Sequence, residues 1–248
     1  MIRIGLLTPH AAAGPEEEFA AMAPGRLVTR VVRVLSDGID VGAASEPPTT
    51  PAGLRKLAAA PLLDNAARSL ARDSMDVVGY ASTTSAFVIG LEEERALISR
   101  LEAQLDVPVA ATCASAVLAL RRLQVERVAL VGAPWFGPEL NQLGAAYFRD
   151  QGFNVVSSTS ADLPRDPRRI EPAAVFAWTS RHLQDDAEGV FIGGNGFRAA
   201  GAIEPLENAL GRPVLTSNQV LLWTVLGQAE ARLEVAGYGQ LFGHRSDR

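Results

Sequence analysis

The chain has 248 residues, 48% of them apolar and 21% charged, which suits one large α/β domain or two ordinary ones in a water-soluble globular protein. No apolar run approaches the roughly 18 residues of a membrane span, and 23 basic against 28 acidic side chains, a net charge of −5, leave no broad basic face for nucleic acid or an anionic membrane surface. One cysteine, Cys113, and three scattered histidines exclude an intrachain disulfide and supply no spaced ligand set for a metal.

The first predicted element is a strand, Ile2–Leu7, which ends at Pro9. One charge and so short an apolar run do not make a signal peptide, so a cytoplasmic protein is expected. Further strands are predicted at Arg30–Leu35, Val77–Tyr80, Val109–Ala111, Arg127–Val131, Asn154–Ser158, Gly189–Ile192 and Val214–Thr216. Between them, helical spacing of apolar residues marks Pro61–Arg72, Leu91–Gln104, Ala114–Leu123, Pro138–Gln151, Pro172–Gln184, Ile203–Leu210 and Val220–Ala231, several opened by proline or a Ser, Thr or Asn cap. The segments Gly42–Gly53 and Asp162–Pro172 read as Pro-rich connections. Lys56, the only lysine, sits on a polar spot of a helical stretch and is a poor candidate for Schiff-base chemistry. Strands alternating with helices predict βαβ units and parallel sheets.

Self-similarity then decides the architecture. Arg3-Ile4-Gly5-Leu6-Leu7 leads to Gly14-Pro15-Glu16, and Arg127-Val128-Ala129-Leu130-Val131 leads to Gly137-Pro138-Glu139. Pro108-Val109 runs into Thr112-Cys113, as Pro213-Val214 runs into Thr216-Ser217-Asn218, and between these pairs Tyr80–Ser85 matches Ile192–Gly196. The expected fold is two pseudo-symmetric, flavodoxin-like parallel-sheet halves. Residues 1–120 with 214–248 form the first half, and residues 121–213 the second.

Two facing halves create a cleft at the carboxyl ends of their strands, where ligands bind in open α/β sheets. Thr8–Gly14, Ser82–Ser85, Thr112–Cys113 and Gly193–Gly196 would line it, each followed by a helix or turn whose N–H groups can face an anion. Taken singly, such residues are also ordinary caps and turns. Gly193–Gly196 lacks the spacing of a dinucleotide fingerprint. Glu16–Glu18 and Glu92–Glu94 read as charged first turns of helices.

The opening IGLLTPHAAAGP, STTSAFVIG at 82–90, PVAATCASAVLAL at 108–120, GAIEPLENALGRPVLTSNQ at 201–219 and GYGQLF at 237–242 together resemble the aspartate/glutamate racemase superfamily. Within it, they are most similar to the branch of arylmalonate decarboxylase and maleate cis–trans isomerase. The resemblance implies a cofactor-independent enzyme that acts on a small carboxylate or dicarboxylate, and a homo-oligomer. One substrate carboxylate would be held by backbone amides and hydroxyls, while cysteines move a proton or attack a double bond. The substrate-anchoring hydroxyls would be Thr83 and Thr84, with Ser85 close by. From their place in the strand-end loops, Pro9, the amides of Gly193 and Gly194, and Asn195 are further binding candidates, and Trp135 either reaches the cleft or packs in the core.

The same resemblance puts the family's two cysteines at Ser82 and Gly194, and both are absent. Three residues could take over the acid–base work. Ser82 could shuttle a proton, although no base beside it can be identified. Cys113, just before a helix, could be a thiolate or merely a small buried hydrophobe. His10, after Pro9, could be a general base near neutral pH or simply polar loop surface. The rival expectation is a non-catalytic family member that binds a small anion as a sensor or accessory protein.

Overall fold

A computed structural model describes residues 1–9, 13–34, 50–244 and 246. His10 and the greater part of the Gly42–Gly53 connection lie outside them. The chain forms two parallel four-stranded sheets. Strands β1 (Ile2–Thr8), β2 (Leu27–Arg33), β3 (Val77–Tyr80) and β4 (Val109–Ala111) order as β2-β1-β3-β4. Strands β5 (Arg127–Gly132), β6 (Asn154–Ser160), β7 (Gly189–Gly193) and β8 (Val214–Thr216) repeat that order as β6-β5-β7-β8. The duplication read from the sequence is thus the duplication of the fold. One difference concerns the boundary: β8, expected with the first half, pairs with β7 through Val190–Val214 and Ile192–Thr216. The crossing back comes after it, at the next helix.

The helices are α1 (Pro15–Met22), α2 (Pro51–Ala58), α3 (Leu62–Leu70), α4 (Thr83–Leu105), α5 (Thr112–Arg122), α6 (Pro138–Asp150), α7 (Pro172–His182), α8 (Ile203–Leu210) and α9 (Ser217–Gln228). Helix α9 leaves β8 and packs on α5, α1, β3 and β4 of the first half, while α4 packs on α6 of the second. Because side chains alternate along a strand, β1 sends Ile4 and Leu6 into a core that also contains Val128 and Leu130 of β5. Leu7 goes into a separate core with Leu63, Leu70 and Leu97 of the first half. The main core therefore spans both halves and fixes how they meet.

Three local differences from the sequence reading have physical causes. Strand β2 runs from Leu27 because its register on β1 (Ile2–Leu27 to Thr8–Arg33) needs only half-buried side chains at a sheet edge, so Thr29 and Arg30 do not interrupt it. Pro51 opens α2 behind the Thr50 cap, whose hydroxyl accepts the Gly53 N–H at 3.2 Å, so this proline starts a helix. Helix α4 begins eight residues before Leu91, capped by Ser82, and kinks at Gly90, whose φ of 79° is open to glycine at little cost.

Candidate active site

Ser82, Thr83, Thr112, Gly194 and Ser217 all lie just beyond the carboxyl ends of β3, β4, β7 and β8, the end of a parallel sheet where helix N-termini present free N–H groups. Together with Asn195 and Asn218, they are buried. Thr83 donates from both its backbone N–H and its hydroxyl to Oδ1 of Asn195, each at 3.0 Å. The Thr112 hydroxyl reaches the same oxygen at 3.2 Å. The Gly194 N–H donates to Ser217 Oγ at 2.8 Å and to Thr83 Oγ1 at 3.2 Å, and the two hydroxyls are 2.8 Å apart. Four segments from both halves thus close on one another through one carboxamide.

Behind this cluster stands Glu18. Its Oε1 accepts the Ala200 N–H and its Oε2 accepts from Asn218 Nδ2, both at 2.7 Å. Burial pushes its carboxyl up to about 7, against these bonds and the charge of Arg198. Gly14, just before α1, approaches the loop so closely that a Cβ there would sit 2.3 Å from the Asn195 carbonyl oxygen. That contact requires a glycine here.

The sequence candidates divide. Thr83, Gly193, Gly194 and Asn195 are brought together. Pro9 is buried beyond β1, next to Thr8, whose buried hydroxyl has no hydrogen-bond partner among the described residues. Thr84 is half-buried. Ser82 and Ser85 turn toward each other: Ser82 Oγ donates to Ser85 Oγ at 2.6 Å and caps α4 by accepting the Ser85 N–H at 3.3 Å, while the Tyr80 hydroxyl donates to Ser85 Oγ at 2.9 Å. The Ser82 hydroxyl is therefore engaged as a helix cap. Trp135 is half-buried and packs edge-on against Phe197 at 6.2 Å.

Cys113 is fully buried and donates its Sγ–H to the Thr83 carbonyl at 3.3 Å. Burial, followed by the charge of Glu94, pushes its thiol up. The thiolate expected from its place at a helix start is therefore disfavoured, since desolvation of the charged form outweighs the helix N-terminus.

Glu94 is also a buried acid, 2% exposed, on the face of α4 that carries Leu97 and Leu101. It accepts from the Tyr147 hydroxyl on α6 and from the Ala114 N–H at 3.4 Å, joining α4, α5 and α6. Burial pushes it up to about 7. Both buried acids stand in acidic runs that read simply as charged first turns. A signal was available nonetheless: Glu18 lies at helical spacing from Pro15 and Met22, and Glu94 from Leu97 and Leu101, all of them buried.

A cavity of about 540 Å³ bordered by Asp106, Leu118 and Gln228 lies at the opposite, amino-terminal end of β4 and includes none of the clustered residues. Among the described residues no group of His, Cys, Asp and Glu is arranged to hold a metal, and no helix is long and apolar enough to cross a membrane.

The sequence profile of arylmalonate decarboxylase matches residues 59–242. Arylmalonate decarboxylase of Bordetella bronchiseptica is 25% identical over 247 residues, covering 96% of this chain and 95% of that one. Maleate isomerase of Pseudomonas putida is 26% identical over 186 residues, covering 72% and 74%. Among solved structures, a maleate isomerase variant of Pseudomonas putida with maleate superimposes with a TM-score of 0.82 at 20% identity, covering 97% of each chain. A variant of the Nocardia farcinica maleate cis–trans isomerase with a covalently bound succinylcysteine intermediate gives 0.81 at 22% identity, covering 100% of this chain and 99% of that one. A profile match over most of the chain, on the same doubled sheet, places this protein in the arylmalonate decarboxylase family.

Proposed function

We propose that this protein holds one carboxylate of a small dicarboxylate on the donors of Thr83 and Thr112, and uses them to stabilise the negative charge released when an activated malonate loses CO2, without a cofactor. The observation that carries this reading is the convergence of the Thr83 N–H and the Thr83 hydroxyl on a single oxygen, that of Asn195, with the Thr112 hydroxyl, which lies as close to the Tyr80 carbonyl, in reach of the same oxygen. Preorganised donors aimed at one oxygen are what a carboxylate, or the enediolate formed from it, requires. The substrate class comes from the family.

The step needs no nucleophile. The C–C bond breaks to release CO2, its electron pair passes into the remaining carboxylate as an enediolate, and a proton from water or from His10 completes the α-carbon. The family's other route is cysteine addition, as in the Nocardia succinylcysteine adduct, and it needs a thiol at the site. The only thiol here is buried against the Thr83 carbonyl. A second reading, binding without turnover, is favoured by the serine and glycine at the positions where the resemblance places the two cysteines, Ser82 and Gly194.

Proton NMR in D2O with phenylmalonate and maleate tests both readings. Conversion of phenylmalonate to α-deuterated phenylacetate, with maleate unchanged, is the expected result. Turnover of maleate to fumarate would refute the decarboxylation reading, and line broadening of phenylmalonate without conversion would establish the binder.

A further inference from the structure

The cluster contains a chain of amides whose direction is set at one end. Both oxygens of Glu18 accept, from Ala200 N–H and from Asn218 Nδ2, so Asn218 must present its nitrogen to Glu18. Nδ2 also donates to the Asn195 carbonyl at 3.0 Å, and Asn218 Oδ1 is left to accept Asn195 Nδ2 at 2.9 Å. Asn195, with its nitrogen so committed and also donating to Thr112 Oγ1 at 3.1 Å, can turn only its oxygen toward Thr83. An amide offers donors on one side and acceptors on the other, so a carboxylate at Glu18 dictates which atom meets the Thr83 N–H two residues away.

Resting on the carboxylate-site reading above, we propose that Glu18 is a positioning residue. Through Asn218 it holds the Asn195 carboxamide oxygen on the Thr83 donors in the place of a ligand carboxylate, and neutralising Glu18 reverses the two amides and frees those donors. A protonated Oε2 donates, so Asn218 must turn its oxygen to it, at the loss of its bond to the Asn195 carbonyl. Asn218 Nδ2 then faces Asn195, which must turn its own oxygen away from Thr83. The nitrogen that replaces it meets the Thr83 N–H donor to donor, and the carboxamide leaves the cradle to a ligand.

Arg198, from the loop after β7, and Glu17, on the same helix, act on Glu18 in opposite senses and are themselves paired. Tyr238 of the C-terminal segment feels its charge. Burial dominates them and moves the exchange to near neutral pH.

The experiment has two arms on the full chain, in the wild type, Glu18→Gln and Asn195→Ala. In the first, without ligand, the Thr83 amide resonance is followed from pH 5.5 to 8.5. It is expected to titrate with a midpoint near neutral in the wild type and to stay flat in both variants. In the second, phenylacetate, which is ionised throughout that range and has no second carboxyl to lose, is titrated calorimetrically. With the competent fraction set by a group of pKa about 7, affinity should rise roughly tenfold from pH 8 to pH 6 in the wild type. In Glu18→Gln, whose amide nitrogen can donate to Asn218, and in Asn195→Ala, which removes the occupant, it should hold the acidic value at every pH.

A wild-type Thr83 amide that does not respond to pH overturns the relay even if phenylacetate binds. A Thr83 amide that titrates through Glu18 while phenylacetate binds no form of the protein upholds the relay and overturns the carboxylate-site reading. Asn195→Ala serves if Glu18→Gln fails to fold. Binding that keeps the wild-type pH dependence in Asn195→Ala also overturns the proposal.

Discussion

Replacing Tyr147 with phenylalanine removes a single oxygen from the joint between the halves, and its cost should depend on pH. Glu94 is nearly enclosed and, among the described residues, accepts from two groups, the Tyr147 hydroxyl and the Ala114 N–H at 3.4 Å. Without the phenol, an ionised Glu94 keeps only the longer bond. Burial pushes this carboxyl up to about 7, so at pH 8 the bond lost is to a carboxylate, worth about 1.5–3 kcal/mol, whereas at pH 5.5 it is to a neutral acid, worth about 1 kcal/mol. The folded chain binds more protons than the unfolded one between the ordinary carboxylate range and pH 7, so stability falls as pH rises through that window. The variant loses a bond that favours the ionised form, and its fall should be steeper. Urea unfolding of wild type and Tyr147→Phe at pH 5.5 and 8, with unchanged m-values, should give a destabilisation about 1–2 kcal/mol larger at pH 8. Equal losses at both pH values would refute the assignment of Glu94 as a buried, titrating acid held by Tyr147.

Three further outcomes are expected. In the wild type, the raised carboxyls of Glu18 and Glu94 should each remove on the order of 3 kcal/mol of stability between pH 5 and pH 8. Glu94→Gln should flatten part of that slope in a urea series, and an unchanged slope would refute its source. Gly14→Ala places a Cβ 2.3 Å from the Asn195 carbonyl oxygen and should cost about 1–3 kcal/mol while weakening phenylacetate binding, read by thermal unfolding and calorimetry; a variant as stable as the wild type would show that α1 and the 193–196 loop part freely. Cys113 should react with a chromogenic disulfide reagent only as fast as the protein unfolds, because its thiol is enclosed and held protonated; reaction within seconds on the native protein would restore it as a thiolate candidate.

Local pattern was sufficient for the architecture. The repeated strand-to-helix segments at Arg3–Glu16 and Arg127–Glu139, and again at Pro108–Cys113 and Pro213–Asn218, carry their own periodicity and turn chemistry. Each half therefore announces the same sheet wherever it lies in the chain, and the sheets appear as β2-β1-β3-β4 and β6-β5-β7-β8. Residues at the strand ends, Thr83, Gly194 and Asn195 among them, could be gathered for the same reason. What pattern could not tell is which partner each polar group meets. Glu18 and Glu94 are spelled like the less buried glutamates beside them. They become buried, near-neutral acids because α9 crosses back to lay Asn218 on one and α6 brings Tyr147 onto the other. The direction of the amides between Glu18 and Thr83, and the enclosure of Cys113, likewise belong to contacts between segments more than a hundred or only thirty residues apart. Desolvation and hydrogen-bond polarity are properties of an assembled interior, so only the tertiary structure could decide them.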